Sequence, residues 1–449
     1  MYVHPQSDRL PHEPLRVRMS TVPFLGRLLG KGALLALLAL LTVATWPLFL
    51  LGVARWGWPP HQARLWQFRR YVHLTWTAAP PPPGIAPLSR AYLLLLIVEK
   101  LLLVPVHGLA WFLDEVLCGK QLDGTPVRAP LFLLSAARSG STQISRYLET
   151  DPRLAAPTVL QTMFPYLWLW HLVRATAGRV VPPSWVERAL ARMASEEFLQ
   201  RHELSPFHTD TFEVMFFHMH LNLLALCLGP DPIASDVGFS SMEEHNRSLW
   251  EDEFVVFLDR LGSKTLAFAG AGEGGQPRRL YIKGHFQAAD DALAQRYPDA
   301  HFVTVVRDPV SRLQSVLNHL HGNTPCEALG AVPWRWLSEG LPDSTAAYCR
   351  REKDWFTRSE GPSRTVIRFT DYVTDLEGTM REVYRSCLGD EVLPDHVPTQ
   401  HAPRQRKNYR VNRSLSELGI DAAAYGAQLD DYRAWCRQPR PSQVATQGG

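Results

Sequence analysis

Short runs of consecutive apolar residues recur along the C-terminal two thirds of the chain, separated by longer mixed segments. Four of them have the length of strands buried on both faces and predict parallel strands at 131–135, 279–282, 302–306 and 364–369. The segments that follow or intervene predict helices over 142–150, 185–203, 211–228, 240–262, 287–297, 310–320, 344–358, 373–387 and 422–436. Strands separated by helices imply an α/β fold, a parallel sheet flanked by helices with right-handed crossovers. The long stretch 151–278 between the first two strands reads as mostly helical, an elaboration over the face where lids and acceptor pockets sit.

The N-terminal third follows another pattern. Ala33–Val53 is uncharged, rich in Leu and Ala, and long enough to cross a hydrocarbon core that needs about 20 apolar residues. It exceeds a signal-peptide core and lacks a small-residue cleavage site, so it reads as a retained transmembrane helix. Basic residues flank both of its ends, and the orientation is left open. A second apolar stretch, 91–114, carries Glu99 and Lys100 near its middle and reads as a membrane-associated or core-packed helix, with a second crossing open. The expected organisation is a tail at 1–32, a membrane helix at 33–53, a Pro-rich linker at 54–90, the second apolar helix at 91–114, a globular domain at 115–436 and a disordered tail at 437–449.

Composition narrows the function classes. The 449 residues are 46% hydrophobic, enough for one large core or two smaller ones. A net charge of +3 implies no bulk affinity for nucleic acid. Six cysteines occur without a Cys-x-x-Cys pair, so neither a metal site nor a disulfide framework is expected, and a Cys326–Cys349 bridge is open only in an oxidising compartment.

The most informative chemistry follows the first strand. Residues 131–142 run from an apolar strand into Arg138-Ser139-Gly140-Ser141-Thr142 and then into a helix beginning near Gln143. Gly140 lets the backbone approach an anion, the hydroxyls of Ser139, Ser141 and Thr142 donate, and the helix N-terminus adds its positive end. The loop lacks the first Gly and the Lys of a nucleoside triphosphatase loop.

Three further segments join it. Lys283 and His285 end the second expected strand, where a neutral imidazole beside an ammonium makes a general base next to a cation for a leaving oxygen. Arg307 ends the third, with Ser315 on the helix after it, a pair able to grip a second phosphate. Arg406 and Lys407 form a late basic cluster able to close over an anion.

In this order the segments resemble the 3′-phosphoadenosine-5′-phosphosulfate-dependent sulfotransferases, in the broad bacterial-type and Golgi-type group, over roughly 130–435. Arg138–Thr142 looks like the 5′-phosphosulfate loop, Lys283-Gly284-His285 like the family's Lys-Thr-His element, and Arg307 with Ser315 keeps the spacing of the 3′-phosphate site. Phe369-Thr370-Asp371-Tyr372 resembles a Tyr-Glu-Asp segment, with Phe369 where the cytosolic enzymes carry Tyr. Arg406-Lys407-Asn408-Tyr409 with Leu418-Gly419 resembles the C-terminal segment.

The resemblance implies a P-loop-like fold and transfer of a sulfuryl group from phosphoadenosine phosphosulfate to an acceptor hydroxyl or amine, without a metal. His285 would be the base, with Lys283 and Arg138 assisting. The donor would be held by Arg138, Ser139, Gly140, Ser141, Thr142, Gln143, Arg307, Ser315, Arg406 and Lys407. The partners implied are the donor, its adenosine 3′,5′-bisphosphate product, a lipid or carbohydrate acceptor and a membrane. The membrane would be the bacterial inner membrane or, in a eukaryote, the Golgi. Phe207-His208-Thr209-Asp210 and the helix through Phe216, Phe217, His218 and Leu223 are candidate acceptor lining. A membrane-anchored nucleotide-sugar glycosyltransferase and a catalytically silent scaffold are the competing readings.

Overall fold

The computed structural model describes residues 21–77, 87–176, 184–188, 205–210, 253–286, 289–320, 334–400 and 414–438, together with Pro182, Phe212 and His220. Five parallel strands form one sheet: β1 (Leu131–Leu134), β2 (Leu154–Ala155), β3 (Arg279–Gly284), β4 (His301–Val306) and β5 (Ser363–Arg368), ordered β2-β3-β1-β4-β5. Four match the expected strands to within two residues. The fifth, β2, is two residues long and has no apolar run to announce it.

Side chains alternate across this sheet and feed two cores. Leu131 and Leu133 of β1 join Tyr281, Val303, Val305 and Ile367 on one face. Phe132 and Leu134 join Leu280, Ile282, Phe302 and Val306 on the other. Helices α5 (Ser141–Leu148), α12 (Phe369–Thr374) and α13 (Leu376–Leu388) supply residues to the first face; α7 (Leu167–Ala175) and α8 (Val255–Ala269) supply the second. The remaining described helices of this part are α6 (Val159–Met163), α9 (Asp290–Arg296), α10 (Pro309–Leu320), α11 (Trp334–Phe356), α14 (Ala422–Ala427) and α15 (Asp430–Cys436).

Several helix limits differ from the sequence expectation, for local reasons. The helix expected at 240–262 begins, among the described residues, at Val255 and continues to Ala269, where Gly270 at φ +69° ends it. The one expected at 373–387 is two helices, because Asp375 leaves helical φ/ψ and caps α13 by accepting from Gly378 N. The one expected at 422–436 breaks between α14 and α15, and the one expected at 344–358 starts earlier, at Trp334, running through Pro342. Most of the helices expected at 185–203 and 211–228 lies outside the described residues, whereas α6 and α7 were not anticipated.

At the N-terminus four helices appear: α1 (Thr21–Val43), α2 (Thr45–Trp56), α3 (Leu65–Thr77) and α4 (Pro87–Asp123). The stretch 33–53, expected as one membrane helix, is divided between α1 and α2 with a bend of 66°. Pro47 has no N–H for the Val43 carbonyl and its ring crowds that carbonyl, which places the break at Ala44. The linker expected at 54–90 contains α3. One described helix, Leu94–Asp123 within α4, is long and apolar enough to cross a bilayer. These helices are continuous with the second core: Phe49, Tyr71, Trp111 and Phe112 belong to the same buried cluster as Phe132 and Leu280.

His301, at the start of β4, provides a test of this core. Its Nε2 lies 2.8 Å from Thr365 Oγ1. Burial, reinforced by the charge of Arg279, pushes the imidazole down to about 4 from an ordinary value of 6.5. Between those two values the unfolded chain holds more protons than the folded one. Stability should therefore fall as pH drops from 6.5 to about 4, by about 3 kcal/mol for this group. Urea midpoints across that range measure it, and His301→Gln should flatten the parent's slope.

Candidate functional site

The C-terminal ends of β1, β3 and β4 converge on one loop. Ser135 fastens them: its N–H donates to Gly284 O (3.2 Å), its Oγ accepts from Val305 N (2.9 Å), and its carbonyl accepts from His285 Nδ1 (2.5 Å). A carbonyl only accepts, so Nδ1 carries the proton and the imidazole lone pair sits on Nε2.

The loop then takes two left-handed residues, Arg138 at φ +66° and Gly140 at φ +98°. A non-glycine residue held there costs of order 1–3 kcal/mol and persists where surrounding contacts hold it. The contact is explicit: Arg307 Nη1 donates to the Arg138 carbonyl at 3.0 Å, while Arg138 Nε donates to Ser315 Oγ at 3.1 Å. Arg307 also lies over the Phe369 ring, 4.5 Å from its centroid. That ring in turn floors Gly140, where a Cβ would stand 2.8 Å from its carbons. Gly140 is thus required twice, by its φ and by Phe369. Ser139 Oγ is fully buried and has no hydrogen-bond partner among the described residues. An orphaned donor of that kind suits an anion's oxygen.

Lys283 and His285 reach opposite ends of this loop. Lys283, buried on β3, donates from Nζ to Thr142 Oγ1 at 3.1 Å and to Asp210 Oδ1 at 2.6 Å. Asp210 is set in place by α5 itself. Glu149, the C-cap of that helix, accepts from Thr209 N (2.9 Å) and pairs with His208 Nδ1 (2.7 Å), and Arg146 donates to Thr209 O (3.0 Å). The backbone of His285 is held from the far side, where Tyr348 Oη donates to its carbonyl at 3.4 Å and the adjacent Phe286 is fully buried.

The structure therefore gathers Arg138, Ser139, Gly140, Ser141, Thr142, Lys283, His285, Arg307 and Ser315 around one loop, although Arg138 and Ser315 are 177 positions apart. Gln143 is turned along the surface of α5, its Nε2 donating to Tyr147 Oη at 3.2 Å. Arg406 and Lys407, with Phe216, Phe217, His218 and Leu223, lie outside the described residues. Ser135, Arg146, Glu149 and Tyr348 were not singled out from sequence. A small polar residue ending the first strand was the available signal for Ser135; the others become visible only through contacts across the fold.

A family model described as the sulfotransferase family matches residues 130–389. In fold, the chain is similar to the sulfotransferase STF9 of Mycobacterium avium (TM-score 0.56, 17% identity, 86% of this chain and 94% of that one). It is likewise similar to the sulfotransferase STF1 of Mycobacterium tuberculosis H37Rv (TM-score 0.51, 16% identity, 86% and 98%). No curated protein matches the sequence.

Proposed function

Because the chain belongs to the sulfotransferase family, we propose that it transfers a sulfuryl group from phosphoadenosine phosphosulfate to an acceptor hydroxyl, with His285 as the base. The observation that carries this reading is the juxtaposition at the loop of an imidazole of fixed tautomer, a buried ammonium and two guanidinium groups. The residues fit the donor: Ser139 Oγ is an unpartnered buried hydroxyl, and Gly140 lets the loop pack directly on Phe369 in its left-handed turn.

His285 Nε2 takes the acceptor proton as the sulfur–oxygen bond to the acceptor forms. Lys283, Thr142 and the loop amides hold the charge that accumulates on the departing phosphate oxygen. Asp210 keeps the Lys283 ammonium aimed at Thr142 until the donor's charge competes for it. Arg307 and Ser315 take the 3′-phosphate, with Arg138 bridging from the loop, and that phosphate separates this donor from ADP. Arg406 and Lys407 are further candidates to hold the nucleotide, and the N-terminal helices attach the enzyme to a membrane.

Thermal stabilisation of the full chain by adenosine 3′,5′-bisphosphate, with ADP as control, tests the donor. The full chain is needed because Trp111 and Phe112 of α4 belong to the same buried cluster as Phe132 and Leu280 of the sheet. Ligand at 100 times its dissociation constant should add about 2.7 kcal/mol. Stabilisation by the bisphosphate and little by ADP is expected; none by either from a folded sample would sink the reading.

A further inference from the structure

Between residues 14 and 98 the sequence holds nine Lys and Arg side chains and no Asp or Glu. The same region turns large apolar side chains outward. Leu37, Leu40, Leu48 and Leu51 of α1–α2 and Trp66 and Trp76 of α3 are each more than half exposed. An outward apolar surface of this extent is unusual on a soluble monomer. Beside these apolar side chains Arg55 and Arg69 stand exposed, while Arg64 is paired with Glu253 at 2.6 Å. Outward Leu and Trp with exposed Arg is the makeup of a surface that enters an anionic leaflet.

The layer is built into the enzyme rather than hung from it. Gly52 of α2 lies flat against the Phe112 ring of α4, and Gly108 of α4 against the Phe49 ring of α2, with no room for a Cβ at either. Asp114 of α4 pairs with Lys264 of α8 at 2.9 Å, both completely buried, and accepts from Leu167 N and Trp168 N at the start of α7. A chain of rings continues toward the site: His61 to Phe257, Phe257 to Phe212, Phe212 to Phe286, with centroids 6.1, 5.6 and 6.1 Å apart. Phe286 is the residue after His285, and Phe212 lies two past Asp210.

We propose that α1–α3, with the outer face of α4, dock the enzyme on an anionic lipid bilayer, and that its acceptor is a hydroxyl on a lipid headgroup at that surface. The acceptor half rests on the sulfotransferase reading; the docking half does not. Three ring contacts separate the docked layer from the residue beside the base, and the buried contacts hold layer and catalytic domain as one body. The site therefore stays at a fixed height above the membrane, within reach of headgroups.

The test uses the full chain in nanodiscs of phosphatidylcholine and phosphatidylglycerol, containing a diacyl glycolipid with a diazirine on its sugar. Adenosine 3′,5′-bisphosphate is present and adducts are mapped by mass spectrometry after photolysis. Two groups of adducts are expected, one on the outward residues of α1–α3 and one within 205–210 or 285–286. The second group should be lost when the same sugar is supplied without acyl chains. Adducts confined to α1–α3, or equal labelling by the chain-free sugar, would overturn the acceptor assignment. Their absence from α1–α3 would overturn the docking. Bisphosphate stabilisation is measured on the same sample: if it is missing, the sulfotransferase reading fails while the docking result stands.

Discussion

His285→Ala should lower kcat by about 10²–10⁴ while leaving affinity for adenosine 3′,5′-bisphosphate within a factor of a few, because a general base contributes in that range. The loss corresponds to about 2.7–5.5 kcal/mol of barrier. The geometry makes the prediction sharp. The imidazole touches the loop through the Ser135 carbonyl, and the His285 backbone is gripped by Tyr348 and by the fully buried Phe286. Truncation removes the ring and its bond to the Ser135 carbonyl, while the Ser135 bonds to Gly284 and Val305 still join the strand ends, and Lys283, Arg138 and Arg307 keep their contacts. Single-turnover sulfate transfer beside equilibrium bisphosphate binding separates the two effects. A rate within tenfold of the parent would show that another group takes the proton; bisphosphate binding lost together with rate would make the side chain part of the donor site.

The second large effect concerns the attachment of α4. Lys264→Met should destabilise the chain by about 3–5 kcal/mol, the usual consequence of leaving one member of a buried ion pair alone. Lys264 has lost all contact with water; burial pushes its ammonium down to about 8, against the pull of Asp114. It also donates to Pro165 O at 2.9 Å and stands 3.2 Å from the Trp111 ring centroid. In the variant the Asp114 carboxylate would retain the Leu167 and Trp168 amides but no counter-charge. Arg381→Met, at an exposed pair with Glu377, is the control and should cost less than about 1 kcal/mol. Denaturant midpoints decide: a Lys264→Met midpoint indistinguishable from that of the control would mean that apolar packing alone joins α4 to α7 and α8.

The strands were legible because each central one is a short apolar run, and burial on both faces demands such a run. Leu154–Ala155 was not, since two residues carry no periodicity. The loop and its companions were legible because a parallel sheet delivers its chemistry at strand C-termini, and Arg138, Lys283, His285 and Arg307 stand there. Contacts between distant segments were harder to read. Asp210 looked like acceptor lining, but nothing in 207–210 says that its carboxylate meets Lys283, since that depends on Glu149 and Arg146 one helix away. The bend at Ala44 was obscured because Pro47 is tolerable in a membrane helix, so composition alone did not show a break.

Helix α5 starts at the anion loop and ends in the Arg146–Glu149 grip on residues 208 and 209. For anyone retargeting this enzyme, that grip is a splice constraint. A segment grafted in place of 205–210 must set a backbone amide and carbonyl against Glu149 and Arg146 and carry a carboxylate at position 210 for Lys283. A graft that ignores either requirement would leave the buried Lys283 ammonium without its carboxylate partner.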